Sequence, residues 1–166
     1  MVFSSAGAVN GDVDLGNFAN ALTLVTGSTI NGSLNIGSAT QASLTLDGGG
    51  SELISQAVTG TITGFSSLTK QGAGTWTVDE TLAYGGGTII SGGTLRIGND
   101  ATAGPGTLTI SGNFTQSPAG VYNVQIFSAQ NFSRLVVGGS ANLDGTLRLT
   151  LASGFQPAAG ERFAVY

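Results

Sequence analysis

The chain has 166 residues and a formal charge of -4, from 9 acidic against 5 basic residues, with 40% hydrophobic and only 8% charged side chains. That balance is the reverse of a disordered chain's low hydrophobicity and high net charge, and the length suffices for one domain with a sizeable core or for one stretch of a longer repetitive structure. The bases Lys70, Arg96, Arg134, Arg148 and Arg162 never cluster, so no nucleic-acid partner is expected; with no Cys and no His, disulfides, thiolate catalysis, Ser-His-Asp chemistry and Cys-based metal sites are excluded, and no cofactor or metal is expected.

The opening "MVFSSAGAVNGDVD" has no basic segment leading into an apolar run, so no signal peptide is expected within the chain, and no apolar run approaches the roughly 18 to 20 residues of a membrane-spanning helix. Alternating segments then follow one another: "ALTLV" (21–25), "SLNI" (33–36), "SLTL" (43–46), "TWTV" (75–78) and "TLRI" (94–97). The series continues through "TLTI" (107–110), "YNVQI" (122–126), "RLVV" (134–137) and "TLRLTL" (146–151). Period-2 alternation of this length predicts short strands with one apolar face. Clusters of Gly, Asn, Ser and Asp such as "VTGSTING" and "LDGGGS" separate them, and no window keeps helical spacing without meeting glycine, so no helix is expected.

Several strands share one template. Gly-Thr-Trp-Thr-Val (74–78), Gly-Thr-Leu-Arg-Ile (93–97), Gly-Thr-Leu-Thr-Ile (106–110) and Gly-Thr-Leu-Arg-Leu (145–149) each put threonine out, an apolar residue in, a polar residue out and an apolar residue in. Such a unit cannot bury its apolar side alone, but stacked coils build a continuous core. Glycine, at 28 residues more than double its usual share of about 7%, suits corners where a Cβ would not fit. An antiparallel sandwich is the main alternative, but it predicts evenly spaced polar hairpins and a charged outer face. The "GGT" breaks and nearly chargeless outer positions favour a right-handed, single-stranded parallel β-helix.

The stretch "LTKQGAGTWTVDETLAYGGGTIISGGTLRIG" (68–98) resembles the autotransporter-associated β-strand repeat, or passenger-associated transport repeat. Lys70, Gly72, Gly74, Thr75, Tyr84, Gly86, Gly87, Thr88, Gly92, Gly93, Thr94 and Leu95 fit its pattern. "VDETLAY" departs from the common spacer and suggests an altered corner. Residues 106–166 resemble the autochaperone end of autotransporter passengers, whereas residues 1 to about 60 are only generically similar. The resemblance implies a type V secreted protein of a Gram-negative bacterium, located on the cell surface or outer membrane or released. Its implied partner is its own C-terminal outer-membrane β-barrel, with self-association or contact with a host or neighbouring cell through the parent passenger. One continuous solenoid is expected, in segments 1–64, 65–105 (the repeat) and 106–166. The expected role is non-catalytic: to nucleate β-helix folding and support secretion.

The expected core line is Trp76, Val78, Leu95, Ile97, Leu108, Ile110, Tyr122, Val124, Ile126, Leu135, Val137, Leu147 and Leu149. Most aromatic residues lie in the second half or just before it, which would bias stability toward the C-terminal end; Phe3, Phe18 and Phe65 are exceptions. A polysaccharide-acting enzyme is a rival, with Asp12 and Asp14 or Asp79 and Glu80 as its carboxylates, but each pair reads better as turn or corner residues. "DGGGSE" (47–52) is one imperfect copy of a calcium-binding repeat that needs several. Outward Thr pairs could serve adhesion, though ordinary β-propensity explains them equally. Arg96 reads as an outward, solvated side chain.

Overall fold

In the computed structural model, which describes residues 2–3, 7–38, 40–79, 82–98 and 104–166, the alternating segments lie as short strands and the glycine-rich breaks turn the chain from one side of a coil to the next. The first coil holds β1 (Val2–Phe3), β2 (Ala8–Asn10) and β3 (Val13–Asp14), and the second β4 (Ala21–Val25), β5 (Thr29–Asn31) and β6 (Leu34–Asn35). β7 (Ser43–Asp47), β8 (Ser51–Leu53), a helical turn α1 (Ile54–Ala57) and β9 (Ile62–Thr63) make the third, and β10 (Ser67–Lys70) with β11 (Thr75–Val78) the fourth. The fifth has β12 (Thr88–Ile90), β13 (Gly93–Ile97) and β14 (Thr107–Ile110). β15 (Phe114–Gln116), β16 (Gly120–Ser128), β17 (Asn131–Phe132) and β18 (Arg134–Val137) form the sixth, and β19 (Ala141–Leu143) and β20 (Thr146–Leu151) open the last.

The result is a parallel β-solenoid. One side is a seven-stranded sheet, β1-β4-β7-β10-β12-β15-β19, with one strand from each coil and every pairing parallel. A second side joins β8, β11, β13, β16 and β20 in parallel, with β17 folding back antiparallel on β16. The remaining strands pair in three smaller sheets, β2-β5, β3-β6-β9 and β14-β18. "TII" and "TLRI", the two strands β12 and β13 of the glycine-rich stretch at 85–98, thus lie on neighbouring sides of one coil. Along the seven-stranded sheet, coil length varies from the 20 residues between paired Thr69 and Ile89 to the 27 between Thr115 and Asn142.

In-register stacking turns alternation into rows. On the seven-stranded sheet Leu22, Leu44, Leu68, Thr88 and Phe114 form one inward row, each fully buried. The outward row is Thr23, Thr45, Thr69, Ile89, Thr115 and Asn142, four hydroxyls with an apolar side chain at Ile89 and an amide at Asn142. Of the expected core line, Trp76, Val78, Leu95, Ile97, Leu108, Ile110, Tyr122, Val124, Ile126 and Leu135 are buried, and Val137 is partly so. Leu147 and Leu149 are corrections: they stand in register with Tyr122 and Val124, yet are 43% and 52% exposed, because β20 has a neighbour on one side only. Their inward direction is right, but no further strand among the described residues covers them.

The helical turn is a second departure from the sequence expectation. Ile54 and Ala57 both need the interior, and a turn closed by the Val58 N–H on the Ile54 carbonyl puts them there together. The Asp79 carboxylate, one coil on, accepts the Ser55 N–H at 3.1 Å and also the Ser55 hydroxyl, which gives the turn's first donors partners.

Candidate functional site

Buried Lys70, Gln116 and Glu52 lie at or beside the corner between the seven-stranded sheet and the second side. Residues 48–50, 71–74, 91–92, 117–119 and 144–145 form it in successive coils, and each must place backbone carbonyls where few partners exist. Lys70 ends β10 in phase with Leu68, so the strand that buries the leucine points the lysine inward too. It is fully buried, in register between Leu46 and Ile90. Its ammonium donates to the Gln71 carbonyl, to the Gly72 carbonyl at 3.2 Å and, in the next coil, to the Gly92 carbonyl at 3.2 Å.

Two coils further, Gln116 occupies the same row, paired with Ile90 and Leu143. Its amide donates to the Gly120 carbonyl of its own coil at 3.0 Å and the Thr146 carbonyl of the next at 2.9 Å. Glu52, in register with Trp76, turns inward and accepts the Gly27 N–H of the preceding coil. All three side chains therefore bind backbone across a coil boundary. Close approach is a condition of this arrangement: Gly93 has φ +62°, and an added Cβ would strike the Gly72 carbonyl oxygen and lie 2.7 Å from the Lys70 ammonium.

Burial sets the electrostatics of the corner. It pulls the Lys70 ammonium down to about 8, against the attraction of the Asp47 carboxylate. Asp47 is held below the usual carboxylate range by the Gln71 amide first and the Gly48 N–H second, with a smaller contribution from Lys70. Glu52 is pushed up by burial, with the Gly27 N–H opposing. These charges are engaged with backbone and neighbouring side chains, as a structural corner requires.

The other sequence candidates do not converge. Asp12 accepts the Ser33 N–H at 2.7 Å, and Asp14 accepts the Gly16 N–H at 2.8 Å and the Asn35 amide at 2.9 Å, so both tie exposed strands together. Asp79 serves the helical turn, and Glu80 lies outside the described residues. Asp47 and Glu52 belong to different sheets and bind different partners. Arg96 is a correction: it is half-buried, and its Nε donates to the Thr77 hydroxyl at 3.1 Å, because Thr77 is its in-register neighbour on β11. The sequence singled out Lys70 only within the repeat pattern, and it missed Gln116 and the inward turn of Glu52. Their signal is phase, since Gln116 stands two residues after inward Phe114.

Residues 68–97 match the family model described as Passenger-associated-transport-repeat. That span runs from β10 through β13 and contains the coil boundary that Lys70 bridges. Neither the curated proteins nor the solved structures gave a match to the chain.

Proposed function

We propose that this β-solenoid, which carries the passenger repeat of autotransporters, is the C-terminal part of such a passenger and nucleates its folding on the outer surface of a Gram-negative bacterium. It works as a scaffold, without catalysis, alongside its own C-terminal outer-membrane barrel. Outside the cell no nucleotide energy is available, so folding itself must hold the emerged chain there. The C-terminal end emerges first, and nearest-neighbour stacking lets each formed coil template the next. A chain without Cys also crosses an oxidising periplasm with no disulfide-closed loops.

The observation that carries this reading is the aromatic reinforcement of the last coils. Tyr166 lies over Tyr122 and Phe114, with ring centroids 5.2 and 6.3 Å apart, and Phe163 meets Phe132 at 5.4 Å and Phe155 at 6.3 Å. The Arg134 guanidinium sits 4.7 Å from the Phe132 centroid. At the other end Phe18 is 73% exposed. The experiment is Leu108→Asp or Ile126→Asp in the full-length parent protein. Surface display should fall while the barrel still inserts; undiminished display would overturn the reading.

A second reading, self-association of the passenger, has one observation in its favour. The last strands leave Leu143, Leu147, Leu149 and Leu151 between 43% and 52% exposed beside unpaired backbone.

A further inference from the structure

Apolar alternation forbids some alignments of neighbouring coils but not all of them. A slip by one residue turns every buried side chain outward and is strongly disfavoured. A slip by two keeps the pattern: it leaves Leu68 and Lys70 of β10 and Thr88 and Ile90 of β12 facing inward, and Thr69 and Ile89 facing outward. Variable coil length, 20 residues in one case and 27 in another, gives the chain the slack for such a slip.

We propose that Lys70 and Gln116 are the register keys of the solenoid: each completes its hydrogen bonds only when a carbonyl at or beside the corner of the following coil lies opposite it. Lys70 reaches Gly92 across the boundary of the fourth and fifth coils, and Gln116 reaches Thr146 across that of the sixth and seventh. A shift of two residues moves the partner strand by about 6.6 Å and carries those carbonyls out of hydrogen-bond range. The slipped state then leaves a buried ammonium or amide short of an acceptor, which alternation alone would not penalise. The titratable group facing Lys70 from the neighbouring coil is Asp47, which holds its own bonds to Gly48 and Gln71. The inference concerns how coils find their alignment, and it stands whether or not secretion is what the fold serves.

The test exploits a sequence without Cys. Outward Thr69 faces Ile89 in the native register, so Thr69→Cys with Ile89→Cys reports the native alignment. Thr69→Cys with Ser91→Cys, and Gln71→Cys with Ile89→Cys, report the two possible slips. Each pair is refolded from urea under reducing conditions and then oxidised, in the native background and with Lys70→Met. The slipped disulfides should be minor with Lys70 present and rise about tenfold with Lys70→Met, the change in population that one lost hydrogen bond to a charged group corresponds to. Lys70→Gln, which copies the Gln116 arrangement, should restore the single register. Unchanged slipped yield with Lys70→Met overturns the proposal. If Lys70→Met does not refold, Gln116→Met with Thr115→Cys and Asp144→Cys decides it at the second boundary: a similar rise supports the proposal, and no rise overturns it.

Discussion

The indole nitrogen of Trp76 donates to the Asp47 carbonyl of the preceding coil at 2.7 Å, and the same oxygen also accepts the Thr26 N–H at 3.1 Å. That carbonyl therefore keeps a partner if the indole is lost. Trp76→Phe should cost about 1 kcal/mol, and Trp76→Ala, which also empties a fully buried site, about 3 to 5 kcal/mol. Urea midpoints followed by circular dichroism measure both. Equal losses would mean that the hydrogen bond outweighs the ring's packing.

Stability should pass through an alkaline maximum. Lys70 loses its proton at about 8 when folded and near 10.5 when unfolded, so between those values the unfolded chain binds more protons and stability rises with pH. Tyr84 and Tyr166, raised to about 12 by burial, and Tyr122, raised further by burial and by Tyr166, act in the opposite sense. Their stabilisation is intact below the unfolded value of 10 and is lost as pH rises toward the folded values. A gain of about 2 kcal/mol from pH 8 to 10, then a decline, is expected in urea titrations, and Lys70→Met should abolish the gain.

Glycine at the corner should be irreplaceable where backbone meets backbone and dispensable where it does not. Gly93→Ala combines a positive φ with a collision against the Gly72 carbonyl, so a loss of about 2 to 4 kcal/mol is expected. Gly85 has nothing within 4 Å of an added Cβ, and Gly85→Ala should stay within about 0.5 kcal/mol of the parent. Thermal midpoints of the two variants compare them directly.

Position along the axis should decide the cost of otherwise similar leucine changes. Leu44 is fully buried at mid-stack, and Leu44→Ala should cost about 2 to 5 kcal/mol. Leu149 and Leu151 point inward on a strand with no further neighbour, so Leu149→Lys with Leu151→Lys should cost about 1 kcal/mol or less. The same pair should lower any concentration-dependent sedimentation, since charge on an open edge opposes stacking.

How much of this was legible beforehand depends on what alternation encodes. It identifies direction, so "TWTV", "TLRI" and "TLTI" declare their inward residues, and the glycine corners declare where a coil turns. It does not identify what lies next along the axis. Leu147 and Leu149 read as core because their pattern equals that of Leu95 and Ile97, and only the absence of a covering strand separates them. Charge misleads in the opposite way: Lys70 and Glu52 look like surface residues until their phase with Leu68 and Ile54 is followed inward. The helical turn at Ile54–Ala57 depends on a cap from Asp79 in the next coil, which no local window contains.

Coils that bond only to their neighbours also give the solenoid a particular response to force. A pull on the N-terminal end loads one boundary at a time, so boundaries should rupture in sequence. Each rupture releases a coil of 20 to 27 residues, and thus about 70 to 95 Å of slack. The tether lengthens in steps while the coils behind the break keep their shape, so the molecule absorbs mechanical work without giving way all at once.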